Sequence, residues 1–283
     1  AGLRRRLSQP GHRVRGKGGA RVKRYVIIGG GVAGLEAARV AAIRGHEPEL
    51  FEMAPELGGN LIPGGAPSFK EDDLALVKWY QNEMERLHVK VTLNHKVTKE
   101  EVLEGNYDTV IVATGSTPKR FSLGDDEKVY TAAEVLTKEK SAGKKTVVIG
   151  GGLVGLETAL YLREEGSEVT VVEALPKLMM LNGPLCHANS DMLKELIPYK
   201  GVNVLLDTRV EGFKDGIVSV MKGDEKIVLD ADSVVLAVGY NENDSLYKSL
   251  MFDVPEIYLL GDAKKVQNIM YAIWDAFEVA NHI

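Results

Sequence analysis

The chain has a single cysteine, Cys186, among 283 residues. One thiol excludes an internal disulfide, a CxxC redox pair, a Cys-only zinc site and an iron–sulfur cluster held by this chain alone. The six histidines, His12, His46, His88, His95, His187 and His282, are scattered without metal-ligand spacing, so no metal site is expected. No apolar run reaches about 18 residues without a charge. The two most apolar stretches are interrupted by Glu36 with Arg39 and by Glu157, and no membrane span is expected. A net charge of −5 gives no attraction to nucleic acid. A secretion-type hydrophobic stretch is also lacking, which makes the cytoplasm the expected location. Acidic residues are missing from the start of the chain until Glu36, while residues 1–24 hold nine Lys or Arg. With several glycines, Pro10 and no period, residues 1–23 read as a disordered basic leader or linker.

Glycine, in contrast, is plentiful at 30 residues, and its placement carries the information. A short apolar strand, Tyr25-Val26-Ile27-Ile28, runs into Gly29-Gly30-Gly31-Val32-Ala33-Gly34, then a helical stretch, then a second strand ending at Glu52. The same order recurs from Thr146-Val147-Val148-Ile149 through Gly150-Gly151-Gly152-Leu153-Val154-Gly155 to Glu173. The acid follows the last glycine by 18 residues in both copies. Each copy fits the dinucleotide-binding βαβ fingerprint. Gly29 and Gly150 make the turn. Gly31 and Gly152 let backbone approach a pyrophosphate. Gly34 and Gly155 pack helix on strand. The pyrophosphate belongs at the helix N-terminus, where free N–H groups and the helix dipole favour negative charge. Glu52 and Glu173 are placed to accept hydrogen bonds from ribose hydroxyls. Two fingerprints imply two dinucleotides, or one dinucleotide and one relic site.

Further along, Asp72 to Leu87 is apolar at helical period and Val89 to Leu93 reads as a strand. A strand runs from Tyr107 into the turn Ala113-Thr114-Gly115, and Ser233 to Gly239 repeats that shape. Residues 202–230 read as a β meander with turns at Asp215-Gly216 and Gly223-Asp224. One more strand, Glu256 to Leu260, ends at Gly261-Asp262, and a helix begins near Asn268.

These motifs resemble the FAD/NAD-binding module of pyridine-nucleotide:flavin oxidoreductases over residues 23–283. More narrowly, the wording of Leu175-Pro176-Lys177-Leu178 and of Tyr258 to Phe277 resembles the C-terminal half of the 2-enoate reductase/2,4-dienoyl-CoA reductase group, relatives of Old Yellow Enzyme. The resemblance implies an α/β, glutathione-reductase-like two-domain fold with two Rossmann-like domains, the NAD domain inserted into the FAD domain. The boundaries expected are 24–118 and 240–283 for FAD, and 119–239 for NAD.

For FAD it implies contacts from Gly29, Gly31, Val32, Ala33, Gly34, Glu52, Met53, Gly59, Asn60, Leu61, Ala113, Thr114, Gly115 and Gly239. Asn60 stands where the group usually has Gln. Lys96 and Val97 would present backbone to the adenine. Gly261 and Asp262 would bring a carboxylate to the ribityl chain, and the amides of Ile269 and Met270 would face the flavin N1–O2 edge. For the nicotinamide dinucleotide it implies Gly150, Gly152, Leu153, Val154, Gly155, Glu157 and Glu173, with Glu157 near the carboxamide. No arginine follows Glu173 to receive a 2′-phosphate, so NADH is expected over NADPH, with Lys177 the opposing sign. No catalytic acid or base is assigned, because hydride transfer between stacked rings needs none.

Full-length members of the group carry an FMN-binding barrel and a four-cysteine iron–sulfur (4Fe-4S) site, which would lie on a further domain or partner. The function expected is an oxidoreductase module in which FAD accepts hydride from NADH and passes electrons to that partner. The alternative is a nucleotide-binding structural module with no turnover.

Overall fold

A computed structural model describes residues 22–181 and 187–283. Residues 1–21 of the leader expected over 1–23, and Cys186, lie outside the described residues, whereas Lys23 joins the fold, pairing with Glu256 at 2.8 Å and accepting from the Glu47 N–H at 3.0 Å.

The chain opens with β1 (Arg24–Ile28), α1 (Val32–Ile43) and β2 (Glu47–Phe51). Four of the five β1 residues are buried, the continuous apolar run of a strand covered on both faces. Helix α1 buries Ala33, Ala37, Ala38 and Ala41, small side chains that let it lie close to its neighbours. Its one buried acid, Glu36, is held by Arg39 at 2.7 Å and by the Tyr80 hydroxyl at 3.2 Å. Next come α2 (Leu61–Gly64), a 3₁₀ turn at Ser68–Lys70, α3 (Glu71–Arg86), β3 (Lys90–Thr92), α4 (Lys99–Glu104) and β4 (Thr109–Val112).

After β5 (Ser116–Pro118) the second unit begins, with β6 (Val129–Thr131), α5 (Ala132–Leu136), β7 (Lys145–Ile149), α6 (Leu153–Glu164) and β8 (Glu168–Val172). Helices α4 and α5 each start with a reciprocal capping box, Thr98 with Glu101 and Thr131 with Glu134. Helix α7 (His187–Tyr199) follows, then β9 (Asn203–Leu205) and the meander β10 (Thr208–Lys214), β11 (Ile217–Lys222) and β12 (Glu225–Asp230). Strands β13 (Ser233–Leu236) and β14 (Tyr240–Glu242), α8 (Ser245–Leu250), β15 (Ile257–Leu259) and α9 (Ile269–His282) close the element order.

The two large sheets have the same design. The first is ordered β15-β4-β1-β2-β3 and the second β6-β13-β7-β8-β9, all parallel. The chain leaves the first sheet after β4, builds the second, and returns to the first at β15. The crossing is made by β5 and β14, paired antiparallel with Tyr240 opposite Pro118. Ala272, Ala276 and Ala280 of α9 are buried on one face, in the same core cluster as the alanines of α1.

Helix α7 has no counterpart in the sequence reading. It buries Leu193 and Ile197, yet Pro198 near its end hides the helical period. No helix of the described residues is long and apolar enough to cross a membrane.

Candidate dinucleotide sites

One continuous cleft of about 2530 Å³ runs past both glycine turns. That is more than twice the roughly 1,000 Å³ at the upper end for a single small-molecule site. It is lined by every residue assigned above to a cofactor except Gly34, Gly155 and Gly261. Those three glycines pack the walls from behind. A Cβ on Gly34 would lie 1.9 Å from the Gly29 carbonyl oxygen, and one on Gly155 would lie 1.9 Å from that of Gly150. A Cβ on Gly261 would lie 2.8 Å from that of Ala33.

Gly31 is the opposite case. Nothing lies within 4 Å of its Cβ direction, so its backbone is bare toward the cleft. Gly31 and Gly152 are the N-caps of α1 and α6, and neither helix is capped by a side chain, whereas α4, α5 and α9 are. The first amides of α1 are therefore available to an anion.

The two strand-end acids are anchored identically. Glu52 Oε2 accepts from Gly30 N–H at 2.6 Å and Oε1 from Ala54 N–H at 2.7 Å. Glu173 Oε2 accepts from Gly151 N–H at 2.6 Å and Oε1 from Leu175 N–H at 2.8 Å. A carboxylate oxygen has more than one lone pair, so each acid keeps acceptor capacity on its cleft side. The bare Gly31 and the uncapped α1 fit a dinucleotide pyrophosphate in the first unit, and the matching donors on Glu52 and Glu173 fit a ribose in each.

Between these ends, Asp262 Oδ2 accepts from the Ser116 hydroxyl at 3.1 Å, and Asn60 Nδ2 donates to the same oxygen of Ser116 at 3.2 Å. Burial pushes the Asp262 carboxyl above its ordinary range, and the Gln267 N–H and the Ser116 hydroxyl partly hold it back. Asn268 caps α9 by accepting from Tyr271 N–H at 3.2 Å, leaving the Ile269 and Met270 amides without intrahelical partners at the cleft wall.

Glu157 is buried on α6 and meets Lys70 Nζ, from the 3₁₀ turn of the other unit, at 3.2 Å. Asn189 Nδ2 of α7 is 3.4 Å away, and Lys70 also pairs with Asp73 at 3.2 Å. Burial pushes the Glu157 carboxyl up, with Lys70 pulling it partly back. Burial works against the Lys70 charge as well, but Glu157 and Asp73 outweigh it and hold the ammonium above the ordinary lysine value.

The sequence reading missed Lys70, Ser116 and Asn189, which meet their partners only across 87, 146 and 32 residues of chain. No local motif signals them. Lys177 is absent from the cleft wall, whereas Arg209 and Val210 of β10 line it beside Glu173.

A profile of pyridine nucleotide-disulphide oxidoreductases matches residues 23–276. The chain belongs to that family. With one cysteine, it carries the family's nucleotide-binding frame without an internal disulphide. It is 49% identical to a cinnamate reductase of Clostridium sporogenes over 263 residues, 93% of this chain and 39% of that protein. It is 35% identical to an NADH oxidase of Thermoanaerobacter brockii over 270 residues, 91% of this chain and 40% of that protein. A 2-naphthoyl-CoA reductase structure superposes with a TM-score of 0.87 at 26% identity, covering 93% of this chain and 40% of that one. The chain thus spans about two-fifths of the length of these relatives. The family binds FAD and a pyridine nucleotide, and the fold is the two-unit α/β fold the sequence implied.

Proposed function

We propose that this chain is the electron-input module of a larger cytoplasmic reductase, with FAD in the first unit and NADH in the second. The carrying observation is the single cleft that joins the Glu52 end to the Glu173 end past both glycine turns. When bound, FAD supplies a two-electron acceptor for the hydride of a reduced nicotinamide. The chain's own residues bind and orient. Glu52 and Glu173 fix the riboses, the α1 and α6 N-termini take the pyrophosphates, and Asp262 takes the polyol. The N-terminus of α9 favours negative charge at the part of the cleft that Ile269 and Met270 line. We place the domain limits at 24–118, 119–239 and 240–283, a reading that the excursion of the chain into the second sheet supports.

The acceptor is an FMN and 4Fe-4S domain on a further part of the polypeptide or on a partner. The carbon–carbon double-bond chemistry belongs there, because it needs a shaped substrate site and a proton donor. The flavin-loaded chain is therefore expected to turn over NADH with ferricyanide, while enoates and enoyl-CoA esters give no rate above background. Anaerobic NADH should bleach the bound flavin. Flavin that stays oxidised would make the chain a nucleotide-binding scaffold instead, and enoate reduction by this chain alone would end the input-module reading.

NADH is the preferred donor because a 2′-phosphate would meet the anchored Glu173 carboxylate, and like charges forced together cost affinity. Glu173→Ala should narrow the ratio of kcat/KM for NADH over NADPH by about tenfold, equivalent to roughly 1.4 kcal/mol. Equal kcat/KM values for the two donors in the unmutated chain would refute the preference.

A further inference from the structure

The two units repeat one another beyond their glycine turns, down to single hydrogen bonds. His95 N–H donates to the Glu52 carbonyl at 2.9 Å, and Thr208 N–H donates to the Glu173 carbonyl at 2.9 Å. Asn94 N–H reaches the Ala54 carbonyl at 3.0 Å, and Asp207 N–H reaches that of Leu175 at 3.2 Å. Asn94 and Asp207 both take a left-handed turn, at φ 55° and 54°. Asn and Asp tolerate that conformation better than other side-chain-bearing residues, so the turn is built the same way twice.

Two residues after each turn comes a cation, and after it a valine: Lys96-Val97 in the first unit and Arg209-Val210 in the second. All four line the cleft, next to Glu52 or Glu173 respectively. Arg209 is exposed, and its guanidinium makes no hydrogen bond or ion pair among the described residues. It spends no charge on the fold.

We propose that Arg209 is the purine platform of the second unit: its planar guanidinium is the surface on which the adenine of the nicotinamide dinucleotide rests. This rests on the nucleotide reading of that unit given above. A guanidinium stacks on an aromatic face through cation–π and planar contact, and it is weakly hydrated, so the cost of covering it is small. The repeat decides between this role and a 2′-phosphate contact. Lys96 fills the matching place in the unit assigned to FAD, a dinucleotide without a 2′-phosphate. This position thus serves the base end of the nucleotide, which Lys96 would meet through backbone and Arg209 through its planar side chain. Glu173, not Arg209, then sets the choice between the two nicotinamide donors.

The test is calorimetric titration of the flavin-loaded chain with ADP-ribose and with 2′-phospho-ADP-ribose, neither of which carries a nicotinamide to react. Arg209→Ala should weaken both ligands alike, by roughly three- to tenfold. Arg209→Lys keeps the charge and loses the plane, and it should recover only part of the loss. The thermal midpoint should stay unchanged in both variants, because Arg209 is exposed and unpaired among the described residues. An unchanged affinity in Arg209→Ala, a loss confined to the 2′-phosphorylated ligand, or full recovery by lysine would each overturn the proposal. An unmutated chain that binds neither ligand would overturn the nucleotide reading of the second unit along with it, a result distinct from the other three.

Discussion

Gly31→Ala is expected to leave the chain folded and weaken its hold on flavin, whereas Gly34→Ala, three residues on, should cost the fold much of its stability. The two glycines differ in what surrounds them. Gly31 has an ordinary helix-cap φ of −75° and no atom within 4 Å of a new Cβ, so alanine there costs the fold little. The added methyl instead occupies the space through which a pyrophosphate reaches the first amides of α1. Losing that approach should cost flavin affinity about tenfold or more, in line with the roughly 1–2 kcal/mol that a well-placed helix N-terminus gives an anion. At Gly34 the new Cβ would lie 1.9 Å from the Gly29 carbonyl oxygen, which is backbone and cannot rotate aside. Helix α1 would have to lift off β1. Overpacking a rigid contact costs about 3 kcal/mol or more, a large part of a domain's roughly 5–15 kcal/mol. Soluble yield, thermal midpoint and bound flavin per chain separate the outcomes. Flavin retained in full by Gly31→Ala would remove Gly31 from the site.

The contrast between those glycines also marks what can be read from sequence. The role of Gly34 is local: a strand, a turn and a helix within a dozen residues impose it, so spacing alone reveals it. The strand-end acids are legible for the same reason, because Glu52 and Glu173 each sit 22 residues from the amide they accept. Interactions between the units follow no such spacing. Lys70 meets Glu157 because the 3₁₀ turn before α3 reaches across to α6, a contact set by how the two sheets are arranged. Arg209 has no signal near Glu173 in the chain, because its strand arrives only after α7 and β9. Lys177, which does follow Glu173 closely, is exposed and off the cleft wall. Helix α7 was hidden by Pro198 and by its short apolar face.

Lys70→Met should destabilise the folded chain at pH 8 far more than at pH 5. The cause is Glu157, whose side chain is 8% exposed against 21% for Lys70. Burial already raises the Glu157 carboxyl above its unfolded value of 4.5. A raised carboxyl binds its proton more tightly in the folded state, so its contribution to stability falls as pH rises from about 4.5 through the folded value. Removing the ammonium lifts the folded value further and widens that window upward. Toward pH 5 the buried acid takes up its proton more readily, and the lost partner matters less. At pH 8 the fold must hold an unpaired buried carboxylate or a proton taken up from dilute solution. Either costs about 2–4 kcal/mol, near the range for breaking a buried pair. Lys70 obeys the opposite sign. Its raised folded value contributes stability below its unfolded 10.5 and loses it only as pH climbs through the folded one, so it stays charged across the whole test range. The double variant Lys70→Met/Glu157→Gln leaves no charge to strand and should recover most of the pH 8 stability with little pH dependence. Thermal midpoints of the single and double variants at the two pH values decide it. A loss for Lys70→Met that is equal at pH 5 and pH 8 would mean that packing of the lysine stem, not the carboxylate it faces, ties the two units together.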